Sequence, residues 1–271
     1  MAIKDILVYL DNDTNCANRI TSTAKLCSKL GAHLAGLYSY RMLKVHPYPY
    51  TYLPNSAFDT MDENARQQHE ETKALFADNT AAEDIAGEFR SVNDQLSNAL
   101  SIQSRYADLL VVPGRYGKNS NLNQDFELAE ILPISACPVL VLPEDQPAPT
   151  QLPKRVLVAW NGSHESARAL SLAMPIINQA EQIDLVSVAS NEAEASDIAK
   201  HLTHHGINVN VHLVEGNSTN AGKTILNQAI TLESELVVMG AYGHSRFREQ
   251  VLGGATEYMI GHSSLPVLFS H

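Results

Sequence analysis

The feature that most constrains this chain is an internal repeat. Ile6-Leu-Val-Tyr-Leu-Asp-Asn12 is matched by Val156-Leu-Val-Ala-Trp-Asn-Gly162. ADLLVVPGRYG, from Ala107 to Gly117, is matched by SELVVMGAYG, from Ser234 to Gly243. ACPVLVL, from Ala136, is matched by SLPVLFS, from Ser264. The three pairs keep the same order, so one structural plan is used twice. Between the copies lies PEDQPAPTQLP, from Pro143 to Pro153, whose four prolines read as a linker. The expected units are residues 1–143 and 154–271, joined by 144–153.

Each copy alternates short apolar runs with helix-length segments. The runs are near-continuous in Val, Leu and Ile, as expected for parallel strands covered by helices on both faces. The expected fold class is therefore α/β, with two tandem doubly wound domains. In the second half strands are expected near 155–160, 183–188, 208–214, 235–239 and 266–269. Helices are expected near 163–180, 192–205, 219–233 and 254–262. Ser163 is a candidate N-cap, with Glu165 favourable in the first turn. In the first half Ala17 to Leu30 has the helical period, and the Pro- and Tyr-rich stretch from Tyr40 to Thr60 is expected to be an ordered loop.

The chain has 271 residues and a formal net charge of -11. That field argues against a nucleic-acid backbone as partner. The sequence has no apolar stretch of membrane-spanning length. Three cysteines, odd in number and without CxxC spacing, fit reduced thiols and a cytoplasmic location.

The densest glycine cluster follows the apolar run Glu235–Met239. Gly240 and Gly243 leave the fourth strand of the second half, and Gly253 and Gly254 open its last helix. In an open parallel sheet ligands sit beyond the carboxyl ends of the strands, where strand order reverses. A loop that leaves a strand and returns to a helix N-terminus can hold a polyphosphate on backbone amides. Ser245, Arg246, Arg248 and Thr256 add side-chain donors. The competing reading is that these glycines serve only tight turns and a helix start. The spacing is neither that of a P-loop nor GxGxxG.

The pattern Gly240-x2-Gly243-x9-Gly253-Gly254 resembles the nucleotide loop of the universal stress protein superfamily. The resemblance extends to VVMGAYG before the loop, GGATEYMI after it, the LPVLF strand and the opening VLVAWNGS. It covers nearly the whole chain, twice. It implies a five-stranded sheet in each half, in the order 3-2-1-4-5. It also implies an adenine nucleotide as ligand (ATP first, or ADP or AMP), with Mg as a candidate companion. Phosphate contacts carry over to Gly240, Gly243, Gly253, Gly254, Ala255 and Thr256. The nucleoside contacts carry over to Asn161 and Val188. Two positions depart from the family pattern: Gly254 replaces the usual hydroxyl residue, and Asn161 replaces the usual Asp.

The first half keeps Asp11 and Gly114/Gly117 but has no distal glycine. Asp125, Glu127 and Glu130 stand where phosphate would meet a helix start, so this half is not expected to bind ATP in the same manner. His201 and His205 have a zinc-compatible spacing but read as a solvated helix end. His244 and Glu249 lie in the glycine loop. No catalytic pair stands out, and no catalytic residue is assigned. The strands Pro138–Leu142 and Pro266–Phe269 would be edges if each half stood alone. The resemblance implies that they pair, as an intramolecular pseudo-dimer, with a homodimer also open. The expected role is an ATP-binding stress-response sensor or regulator. The alternatives are a slow ATPase or phosphotransferase, and a non-binding structural module.

Overall fold

The computed structural model describes residues 2–40, 55–114, 128–143, 151–188, 192–216, 219–242 and 254–271, with backbone alone at 55–62 and 192. In the first half β1 (Asp5–Leu10), β2 (His33–Tyr40), β3 (Gly87–Asn93), β4 (Leu109–Pro113) and β5 (Val139–Leu142) alternate with four helices. These are α1 (Cys16–Leu30), α2 (Asn55–Ala82), α3 (Leu96–Gln103) and α4 (Leu128–Ile131). The second half repeats the plan in β6 (Arg155–Trp160), β7 (Gln182–Val188), β8 (Val209–Val214), β9 (Leu236–Gly240) and β10 (Val267–Ser270). Its helices are α5 (His164–Ile177), α6 (Glu192–His204), α7 (Ala221–Thr231) and α8 (Gly254–His262).

All ten strands form one sheet, ordered β3-β2-β1-β4-β5-β10-β9-β6-β7-β8. Each half has the expected 3-2-1-4-5 order, and pairing within each half is parallel. The halves meet at one antiparallel seam, where Leu140 lies opposite Leu268. The two strands that would have been edges thus satisfy each other's backbone groups.

Successive strand residues point to opposite faces, so each strand feeds two cores. Ile6, Val8, Val156 and Val158 face α1, α2, α5 and α6. Leu7, Tyr9, Leu157 and Val237 face α3, α4, α7 and α8. This is why the strand segments read as unbroken apolar runs.

One expectation is corrected. The loop expected from Tyr40 to Thr60 ends early, because α2 already begins at Asn55. Pro54 immediately precedes it, and the sequence then has no proline or glycine until Gly87. Proline biases the residue before it away from the helical region but does not hinder a helix that starts after it.

The two thiols on the buried side of α1 are fully covered. Burial pushes Cys16 up to about 11, the Arg19 charge offsetting part of the effect, and pushes Cys27 up to about 12. Both are therefore protonated and poorly nucleophilic in the native state. In the unfolded chain they ionise from their ordinary value of 9.0. Between pH 9 and 11 the unfolded state therefore holds fewer protons, and stability falls as pH rises. The expected loss is about 1.4 kcal/mol per pH unit per thiol. Urea titrations across this range test it, and Cys27→Ala should flatten the slope.

Candidate functional site

The chain leaves β6 towards β7 and β8 on one side, then returns to β9 on the other. The strand order reverses between β6 and β9, and in such sheets ligands usually sit beyond the carboxyl ends of the strands at that point. Asn161 follows β6, Val188 ends β7 and Gly240 ends β9, so these three expected site residues share one end of the sheet.

The β6–α5 turn is tightly organised. The Asn161 carboxamide oxygen accepts the Ser163 N–H at 3.2 Å. Gly162 takes φ +72°, a left-handed conformation that suits glycine. The Ser163 hydroxyl accepts the Ser166 N–H at 3.1 Å, and Glu165 lies in the first turn. The expected N-cap is therefore present. Asn161 itself is exposed just beyond the end of β6.

Gly240 has a packing reason for lacking a side chain. A Cβ there would lie 2.6 Å from the Glu165 carbonyl carbon and the Ser166 nitrogen. The first turn of α5 therefore sits directly on the end of β9. Gly254 opens α8 and is exposed, whereas Thr256 is turned inward and only 3% exposed. Gly243 and Gly253 lie outside the described residues, as do His244, Ser245, Arg246, Arg248 and Glu249.

Two further glycines shape the site without having been singled out from the sequence. A Cβ on Gly222 would meet the Ala255 carbonyl oxygen at 2.8 Å and Tyr258 Cβ at 2.7 Å. Gly222 thus sets how closely α7 approaches the start of α8. A Cβ on Gly216 would meet Val188 Cγ1 at 2.7 Å, so the chain after β8 folds onto the end of β7. Their sequence signal was weak: one glycine inside a helical segment and one after a strand.

Tyr242 opens the glycine loop with φ +66°, unusual for a tyrosine. Its hydroxyl donates to the Ala129 carbonyl of α4 at 2.7 Å, and its ring meets His271 edge-on at 5.3 Å. Burial raises its phenol above the ordinary range. The loop of the second half is therefore fastened to the first half.

At the corresponding position of the first half Asp11 follows β1 and is 4% exposed. Its carboxylate meets the Arg19 guanidinium at 2.7 Å. Arg19 Nε also donates to the Tyr9 carbonyl at 2.9 Å, and the guanidinium lies over the Tyr9 ring. Burial opposes the Arg19 charge, and Asp11 more than offsets it, so the guanidinium stays above its ordinary range. Counting four residues from each N-cap, the second half has Ala167 where the first has Arg19. Glu130 lies in α4, while Gly117, Asp125 and Glu127 lie outside the described residues.

The His201 and His205 rings stand edge-on at 4.9 Å. Among the described residues no group of three or more His, Cys, Asp or Glu could hold a metal. No helix of the described residues is long and apolar enough to cross a membrane.

The fold defines a class: a tandem doubly wound α/β protein with a strand-order reversal in each half. Comparison with known proteins agrees. Residues 177–271 match the model of the Universal stress protein family. Over 169 residues, 59% of this chain, it is 27% identical to the universal stress protein Slr1230 of Synechocystis. That match spans 56% of the relative's length. The fold is similar to that of a universal stress protein from Archaeoglobus fulgidus, with a TM-score of 0.73, 20% identity, and 98% and 97% of the two chains covered. It is also similar to a functionally unknown protein of Pseudomonas aeruginosa, with a TM-score of 0.63, 16% identity, and 99% and 92% coverage. At these identities the structural likeness is one of fold. The family match thus covers residues 177–271, and over the chain as a whole the likeness is one of fold.

Proposed function

We propose that the second half binds an adenine nucleotide, ATP first, and that the chain acts as a stress-response sensor or regulator. The observation that carries this reading is the strand-order reversal between β6 and β9, with an exposed Asn161 after β6 and an exposed Gly254 at the start of α8. A helix start offers unpaired N–H groups and a favourable dipole to an anion. Asn161 offers a carboxamide to ribose without adding negative charge beside the phosphates. Gly240, Gly243, Gly253, Gly254, Ala255 and Thr256 are the proposed phosphate side, and Val188 the proposed base side. Mg would accompany the phosphates; no protein ligand is assigned to it. In the first half Asp11 is already engaged by Arg19, which supports a structural role for that half. The same reading takes 1–143 and 154–271 as the two domains and the cytoplasm, where thiols stay reduced, as the location.

The test starts with nucleotide extracted from the purified protein and identified by mass spectrometry. Intact ATP supports storage or sensing, and ADP with released phosphate supports hydrolysis. Saturating ATP at one hundred times Kd should add about 2.7 kcal/mol and raise Tm by roughly 5 °C. Trp160, the only tryptophan, precedes Asn161 and gives a fluorescence readout. Gly243→Val should abolish both effects. A wild-type chain that neither retains nucleotide nor responds to millimolar ATP would refute the reading.

A further inference from the structure

The two halves cover the seam unequally. In the second half α5 lies across β6, β9 and the seam strand β10, whereas α1 lies across β1, β2 and β4. The pseudo-symmetry is broken, and a cavity of about 370 Å³ opens over Leu140 and Leu142 of β5. Its walls are α1 on one side and Ile176 of α5 with the starts of β9 and β10 on the other, and Gln151 to Pro153 border it. This volume falls within the range of small-molecule pockets. The cavity lies on the α1/α5 face of the sheet, and Asn161, Val188 and Gly240 are not among its lining residues.

Its floor is apolar but its polar groups are unbalanced. Lys25 and Lys29 of α1 line it beside Arg19, whose charge Asp11 already neutralises, against one acid, Glu235. Glu235 is already engaged by the Lys154 backbone N–H. Lys25 stands 3.8 Å from Glu83, while Lys29 is exposed and makes no ion pair among the described residues. A locally positive wall in a chain of net charge -11 favours an anionic guest. A second observation is independent of the charges. Ser234 lines the cavity, is 4% exposed, and its hydroxyl has no hydrogen-bond partner among the described residues. Buried polar groups are nearly always paired, so an unused one at a cavity wall points to a missing partner.

We infer that this seam cavity binds a small amphipathic anion, an apolar body carrying one carboxylate. Leu140, Leu142 and Leu236 take the apolar body, Lys25 and Lys29 supply the countercharge, and Ser234 supplies a hydrogen-bond donor. Because the cavity borders both halves, its ligand would also bridge them.

The test uses a dye pair on the full chain. The probe 8-anilinonaphthalene-1-sulfonate has the apolar body and one anionic group; N-phenyl-1-naphthylamine has the same body without the charge. The anionic dye should bind with one-to-one stoichiometry and be displaced by decanoate. Lys29→Glu, at an exposed position, should weaken it about tenfold and leave the neutral dye within about twofold. Leu140→Trp, with its fold checked by circular dichroism, should block both dyes by filling the space. Saturating ATP should displace neither. Displacement by ATP, or binding indifferent to both Lys29→Glu and Leu140→Trp, would overturn the proposal.

Discussion

Arg19→Met is expected to destabilise the protein by about 3–5 kcal/mol, because it leaves the Asp11 carboxylate buried without its counter-ion. Arg19 and Asp11 are 3% and 4% exposed, so water cannot replace the lost partner. Methionine keeps much of the aliphatic stem, which confines the loss to the guanidinium. Its bonds to Asp11 and to the Tyr9 carbonyl disappear together. The double variant Asp11→Asn/Arg19→Met should recover most of the loss, since a pair removed as a unit leaves no orphan charge. Urea unfolding of the two single variants and the double variant gives the coupling directly. A loss below about 1 kcal/mol for Arg19→Met would place the pair in the class of weak surface bridges.

The second large effect is expected at Gly240. A Cβ there meets backbone atoms of Glu165 and Ser166 at 2.6 Å, and backbone cannot rotate away as a side-chain tip can. Gly240→Ala must therefore push α5 off the end of β9. Overpacking of this kind costs typically 1–3 kcal/mol, and the rigid contact puts this variant at about 3. The displaced turn is the one built by Asn161, Gly162 and Ser163, so nucleotide affinity should fall with stability. Gly261→Ala is the matched control: a Cβ there meets nothing within 4 Å, and the position is helical. It should be neutral or stabilising by up to about 1 kcal/mol. Thermal melts with and without ATP compare the two variants. Equal melting temperatures would remove the packing role assigned to Gly240.

These outcomes bear on how much the sequence disclosed. The strands were legible because parallel strands buried on both faces have no polar face to interrupt them. Ser163 was legible as a cap because its role depends on Ser166, only three residues away. The strand-end positions of Asn161 and Gly240 were legible from the repeat, and that of Val188 from the resemblance. Other features were hidden by distance along the chain. Tyr242 meets Ala129 across 113 positions, and no local pattern marks that contact. Asp11 was visible as an acid ending a strand, but its neutralisation by Arg19 depends on how α1 packs back on β1. Gly240 was legible as a strand-end glycine, but the room that its missing side chain makes for α5 was not.

Local periodicity, repeated, determined two doubly wound halves and the strand ends at which a ligand would sit. It could do so because side-chain alternation and helix capping act over a few residues. The resemblance implied that β5 and β10 pair, and the tertiary structure decided the antiparallel register that joins the halves into one ten-stranded sheet. It alone decided that Asp11 is neutralised by a buried ion pair and that a cavity opens beside the seam. The reason is physical: each of these depends on packing between elements far apart in sequence, and small differences in helix placement settle which polar groups are used within the fold and which are left to meet a ligand.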